Sequence, residues 1–154
     1  MIGRRVRVEL RDAAYDVLIY GRGWRGGPRL KTVGRVQYRF VWTGPDFHLV
    51  KVLKRLPPLL RAGLPLFGSG LFYLGYAFQV AYDLRRRRCD IVHLHNLSQF
   101  APIIRLLNPR LKIVLHMHCE WLTQLPRQII ARRLAHVDWV LGCNSLIERK
   151  TADV

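Results

Sequence analysis

Residues 89–120 decide how the rest of the chain is read: Cys89-Asp-Ile-Val-His-Leu-His-Asn96, an amphipathic interval from Leu97 to Leu111, then Lys112-Ile-Val-Leu-His-Met-His-Cys-Glu120. Both ends are short runs rich in β-branched and apolar residues, and each closes on a His-x-His pair. Between them lies a helix-sized segment with a stop at Asn108-Pro109. The pattern predicts strand, helix, strand, and a crossover of that length joins parallel neighbours. A right-handed βαβ unit brings both His-x-His ends to one edge of the sheet. In open α/β sheets, that carboxyl edge is where ligands bind.

Outward from this unit, the chain supplies more of the same kind. Tyr15 to Tyr20 and Val36 to Val41 read as strands, separated by a loop from Gly21 to Pro28. Gly26-Gly27 carries no phosphate-loop reading, because no helix pattern follows to present its N-terminus to an anion. Arg4 to Arg11 alternates valine or leucine with charge and is strand-like by period. A helical period runs from Phe47 to Leu60, with Leu49, Val52, Leu53 and Leu56 on one face, and Pro57-Pro58 ends it. Thr123 to Ala135 is a further helix, with Pro126 near its first turn. Ile129, Ile130 and Leu134 line its apolar face; Arg127, Arg132 and Arg133 line the polar one. Val137 to Gly142 is a last strand, and Ser145-Leu-Ile-Glu148 matches a capping box that opens a final helix.

The segment Ala62 to Tyr82 is the most hydrophobic in the chain and about as long as a membrane span. Pro65, Gly68, Gly70 and Gly75 interrupt it, and a strand follows after only a few arginines. A buried helix, or one dipping into a membrane surface, is the better reading. Its aromatic residues run into Arg85-Arg86-Arg87-Arg88, the one true basic cluster, which suits an anionic membrane surface.

A chain of 154 residues supports one domain with a respectable core. Its net charge is +16, and only five of the 26 basic residues are lysine. The arginines are spread along the chain with no recognised nucleic-acid motif, so no nucleic-acid partner is expected. The three cysteines, Cys89, Cys119 and Cys143, read as reduced thiols of a cytoplasmic protein, not a disulfide framework. The N-terminus has no apolar stretch of the secretory kind.

The histidines carry the chemistry. Side chains two apart on a strand share a face, so His93 pairs with His95 and His116 with His118. Four imidazoles raise the metal question, but the metal-dependent hydrolase barrels that use His-x-His need about 250 residues. The expectation is no metal, with His93 and His116 as hydrogen-bonded histidines either in the core or behind a residue that touches ligand, and His118 in contact with a ligand. Cys119 faces away from His118 on a strand and reads as a structural thiol.

With these residues in hand, the chain resembles the N-terminal domain of bacterial family 4 retaining glycosyltransferases, whose fold is the two-domain GT-B type. The resemblance rests on Asp90-Ile-Val-His-Leu-His-Asn96, on Ile113-Val-Leu-His-Met-His118, and on Val137-Asp-Trp-Val-Leu-Gly-Cys-Asn-Ser145 with an acid at Glu148. It implies an α/β fold: a Rossmann-like parallel sheet with helices on both faces, forming a single acceptor-side domain over 1–154. The implied chemistry moves a sugar from a nucleotide sugar to a glycan or lipid-linked acceptor, without a metal or other cofactor. By the same resemblance His118 is the catalytic residue that touches the transferred sugar, while His95, Asn96 and Glu120 line the acceptor side. The family's first strand with its glycine-rich turn, and its donor-binding C-terminal domain with a Glu-x7-Glu segment, have no counterpart in this sequence. The nucleotide sugar is thus expected only with a C-terminal domain or partner chain, and the chain by itself is expected not to turn over. The resemblance and the arginine cluster together imply a cytoplasmic protein, peripheral on the inner membrane face. The rival readings are a non-catalytic basic α/β module that binds anionic membrane or a partner chain, nucleic-acid binding driven by charge, and a metal site at the four histidines.

Overall fold

The computed structural model describes residues 16–57, 66–120, 122–145, 147 and 149. The expected strand Arg4 to Arg11 lies outside the described residues, as does Glu148 of the expected capping box. The chain divides into two compact units, residues 1–42 and 43–154.

The first unit contains strands β1 (Val17–Gly23), β2 (Leu30–Val33) and β3 (Val36–Trp42) in the order β1-β3-β2. β2 and β3 form an antiparallel hairpin across Gly34-Arg35. Gly34 has φ +59, the left-handed geometry that a two-residue turn with glycine first requires. β1 pairs with β3 in parallel, so this sheet is mixed. The loop expected from Gly21 begins two residues too early: Gly21 and Gly23 stay in the strand, opposite Phe40 and Trp42. A Cβ on either glycine would lie 3.2 Å from the Phe40 side chain, so the glycines make room for that ring. β2 carries no periodic apolar signal and was not legible from the sequence.

The second unit contains helix α1 (Gly44–Arg55), a 3₁₀ turn (Leu66–Gly68) and helix α2 (Leu74–Arg87). Strand β4 (Ile91–His95) follows, then a second 3₁₀ turn (Ser98–Phe100), helix α3 (Ala101–Leu107), strand β5 (Lys112–Met117), helix α4 (Arg127–Leu134) and strand β6 (Trp139–Gly142). α1 stops at Arg55 because Leu56 precedes a proline and is driven to extended backbone (φ −71, ψ 137). α2 starts where the buried Asp46 of α1 accepts the Gly75 N–H at 2.7 Å. A carboxylate there satisfies an orphan donor of the helix terminus and meets its positive end. Gly75 permits the approach, since a Cβ would sit 3.0 Å from Asp46 Oδ1. No helix among the described residues is long and apolar enough to cross a membrane.

β4, β5 and β6 pair in parallel in that order, as strand, helix, strand predicts. The α/β expectation therefore holds, with a parallel three-stranded sheet in the second unit. The expectation of one parallel sheet does not extend to β1–β3, which form their own mixed sheet. Among the described residues, helices pack on one face of the β4-β5-β6 sheet. Leu94, Ile113, Leu115 and Met117 point into the core beside Ala101 and Ile104, all at most 7% exposed. The alternate positions Ile91, His93, His95, Lys112, Trp139 and Leu141 are exposed, so the second face is open among the described residues. Parallel strands covered on both faces read as continuous apolar runs; these alternate, which is the mark of a sheet buried on one side.

Candidate functional site

The carboxyl edge of the β4-β5-β6 sheet is built by register. His95 lies opposite His116, and His116 opposite Leu141. Past the last paired residues the ladder continues through single bonds: the Asn96 N–H donates to His116 O at 2.9 Å and the Cys143 N–H to Met117 O at 3.1 Å. Asn96 takes left-handed backbone (φ 62), a conformation asparagine tolerates better than most residues. That twist turns its side chain across to β5, where Asn96 Oδ1 accepts the His118 N–H at 2.7 Å. The tips of two strands that are 22 residues apart in sequence are thereby tied at one rim.

All four histidines gather on the open face at this rim. His95 Nδ1 and His118 Nε2 are 2.7 Å apart with parallel rings, so one nitrogen carries the proton and the other accepts it. His93 stacks on His95 and His116 at centroid separations of 4.6 and 5.3 Å, and His116 lies 4.0 Å from His118. Ligating nitrogens of His93, His95 and His116 all lie within 4.8 Å of one another. Partial burial, and then the neighbouring imidazoles, push His93, His95 and His116 below the ordinary histidine value. A second imidazolium in this group would face the charge of the first, so the neutral forms are favoured at neutral pH.

Among the residues expected from sequence, His95, Asn96 and His118 are brought together. Glu120 begins the next turn, where its carbonyl accepts from Thr123 Oγ1 at 3.0 Å and from the Gln124 N–H at 3.2 Å. Its carboxylate makes no hydrogen bond to the histidines among the described residues. His93 and His116 correct the expectation as far as it placed them in a core: the sheet face that carries them is open among the described residues, with His93 exposed and His116 half-buried. Arg85 to Arg88 are all exposed in the last turn and C-cap of α2, where basic side chains complement the helix's negative end. Arg87 pairs with Asp83 at 2.9 Å, and Arg86 lies over the Tyr82 ring.

Two arrangements were not legible in the sequence. Asp138, part of the motif that carried the resemblance, sits at the opposite, amino edge of the sheet. It accepts the Ile113 N–H at 2.8 Å, Arg105 Nη2 at 2.6 Å and Lys112 Nζ at 3.2 Å. These bonds, the backbone N–H first, lower its carboxyl to about 2. The motif's acid is a clasp between β5, β6 and α3 and is no part of the rim. Arg133, expected on the polar face of its helix, is only 7% exposed. Its guanidinium donates to Ser98 Oγ at 3.0 Å and to the Gly68 carbonyl, linking both 3₁₀ turns to α4. After β6, Asn144 Oδ1 accepts the Ile147 N–H at 3.0 Å, a cap one residue before the expected Ser145.

Comparison with protein-family models, with curated proteins and with solved structures finds no match to this chain.

Proposed function

We propose that the chain is the acceptor-side domain of a GT-B glycosyltransferase, with His118 at the reacting sugar and His95 and Asn96 holding the rim around it. One observation carries the reading: the Asn96–His118 bond joins the tips of two adjacent parallel strands. Had those strands run antiparallel, their tips would lie at opposite edges and the reading would fall. Physically, a neutral imidazole offers one donor and one acceptor, which matches a sugar hydroxyl. The 2.7 Å contact with His95 occupies His118 Nε2 and leaves Nδ1 to face the sugar, its role there coupled to the tautomer the pair shares. Holding the sugar so that its anomeric carbon meets the acceptor is catalysis by positioning. The nucleotide sugar would be held by a donor domain or partner chain, and no step needs a metal.

The acceptor fits a lipid-linked saccharide at an anionic membrane. Phe78 and Tyr82 are exposed one helical turn apart on α2, and Arg85, Arg86, Arg87 and Arg88 follow at its end. Apolar rings beside guanidinium groups are the composition of an interfacial helix face.

The test is binding by the isotope-labelled chain of free hexoses and of a synthetic lipid-linked saccharide, read by amide shifts. Asn96, His118 and Glu120 should move together, and His118→Ala should abolish the response. Shifts confined to other parts of the chain, or undiminished in His118→Ala, would refute the assignment. Co-sedimentation with anionic vesicles should fall when Arg85 to Arg88 are replaced by glutamine, and neutral vesicles should not bind. Equal binding to both lipids would remove the membrane part.

A further inference from the structure

The rim holds more imidazole than sugar recognition uses. His118 suffices to meet a hydroxyl, and Asn96 ties it in place; His93 and His116 have no part in that. They are nonetheless stacked 5.3 Å apart, nearly parallel, and His93 is exposed. Two histidines two apart on one strand and a third on the neighbouring strand form a facial set of three nitrogens, generated directly by the β4–β5 register.

We infer that His93, His95 and His116 form a binding site for a late first-row divalent cation, zinc above all, with His118 as the residue that orients His95. The donor chemistry selects the ion. Imidazole nitrogen suits zinc, copper and nickel, whereas magnesium and calcium take oxygen ligands, and among the described residues no carboxylate belongs to this cluster. At zinc–nitrogen distances of about 2.0–2.1 Å, tetrahedral ligands stand about 3.4 Å from one another. The nitrogens here lie within 4.8 Å, so small side-chain rotations on an open face close the set. Three histidines leave a fourth position for water or a ligand, the arrangement of catalytic and not of purely structural zinc. A ligating histidine ordinarily has its other nitrogen held by a hydrogen-bonding partner. The 2.7 Å contact between His95 Nδ1 and His118 Nε2 supplies one and leaves His95 Nε2 for the ion. The net charge of +16 opposes ions held by long-range attraction alone and favours one held by coordination. This inference does not depend on the sugar-transfer reading.

The experiment is isothermal titration of the metal-stripped 154-residue chain with zinc, nickel and magnesium chlorides, with metal analysis after dialysis. One equivalent of zinc should bind, nickel should compete, and magnesium should give no heat. His93→Ala and His116→Ala should each weaken zinc by at least about 100-fold, and His118→Ala by about 10- to 100-fold. His48→Ala and His136→Ala, outside the cluster, should bind as the parent does. Each variant's fold is checked by its thermal midpoint, and the cobalt(II) spectrum of the parent chain provides a second reading that needs no substitution. Nitrogen-only coordination is expected. A thiolate-to-cobalt charge-transfer band would place the ion at one of the thiols Cys89, Cys119 or Cys143 and overturn the site. So would the absence of stoichiometric zinc, or affinity unchanged in His93→Ala.

Discussion

Replacing Asn96 separates two contributions that this one residue makes to the rim. Its backbone is left-handed at φ 62, and its side chain accepts the His118 N–H at 2.7 Å. Alanine loses both advantages. The hydrogen bond contributes about 0.5–1.5 kcal/mol net, with the lower part of that range apt here because water can replace the partner at a half-exposed site. A side chain with a Cβ and no local polar compensation costs about 1–2 kcal/mol in left-handed backbone. Asn96→Ala should therefore destabilise by about 1.5–3 kcal/mol, which for a chain of this size lowers the thermal midpoint by about 2–4 °C per kcal/mol. Glycine loses the same hydrogen bond but fits the backbone, and its extra unfolded-state freedom costs about 0.5–1 kcal/mol. Asn96→Gly should then fall about 1 kcal/mol short of the alanine variant's loss, the difference between the strain and entropy costs. Asn96→Asp, which keeps an acceptor, should lose least. Urea unfolding of the three variants at constant slope gives the ranking. Glycine as damaging as alanine, or worse, would show that backbone strain at residue 96 is not what the residue relieves.

Leu115 is fully buried at the centre of the sheet, so Leu115→Ala should cost about 2–5 kcal/mol, while m stays unchanged in urea. A loss below about 1 kcal/mol would mean the core can collapse around the missing atoms. Asp138→Asn should destabilise the chain at pH 7, because a carboxylate held near 2 favours the folded state. That contribution is complete above the unfolded carboxyl value and fades as pH falls through about 2, so parent and variant should converge in strong acid. An unchanged difference between pH 7 and pH 2, by urea unfolding, would contradict the clasp. The histidines act from the other side of neutrality. Folded His93, His95 and His116 hold protons less tightly than the unfolded chain, so stability is full above the ordinary value of 6.5 and declines as pH falls below it. Thermal midpoints in EDTA should drop from pH 8 to pH 5.5, and the drop should shrink in a His93→Gln, His116→Gln double variant. Equal slopes in parent and variant would show that the cluster is not responsible.

Much of this was legible in advance, and the reason is the same throughout. The apolar runs ending at His95 and His118, with one helix between them, specify adjacent parallel strands because a crossover of that length leaves few other arrangements. From this the meeting of Asn96 and His118 follows without coordinates. The proline stop after α1 and the interruption of the hydrophobic segment before α2 are likewise local effects, read from backbone chemistry alone. What covers a face is not a local property. His93 and His116 were expected as packed histidines, and the alternation of exposed and buried residues along β4 and β5 instead puts them on a face that is open among the described residues. Arg133 looks like any surface arginine in a helical repeat, yet the two 3₁₀ turns close over it and satisfy its guanidinium. Asp138 reads as a family mark and proves to be a clasp, because its partners Arg105 and Lys112 come to it from distant positions in the chain. Strand order and direction in the β4-β5-β6 sheet were thus determined by the sequence, through short-range periodicity and the geometry of connections. Which side chains meet water, and which polar groups find partners, was decided by tertiary packing, since burial and hydrogen bonding depend on residues remote in number.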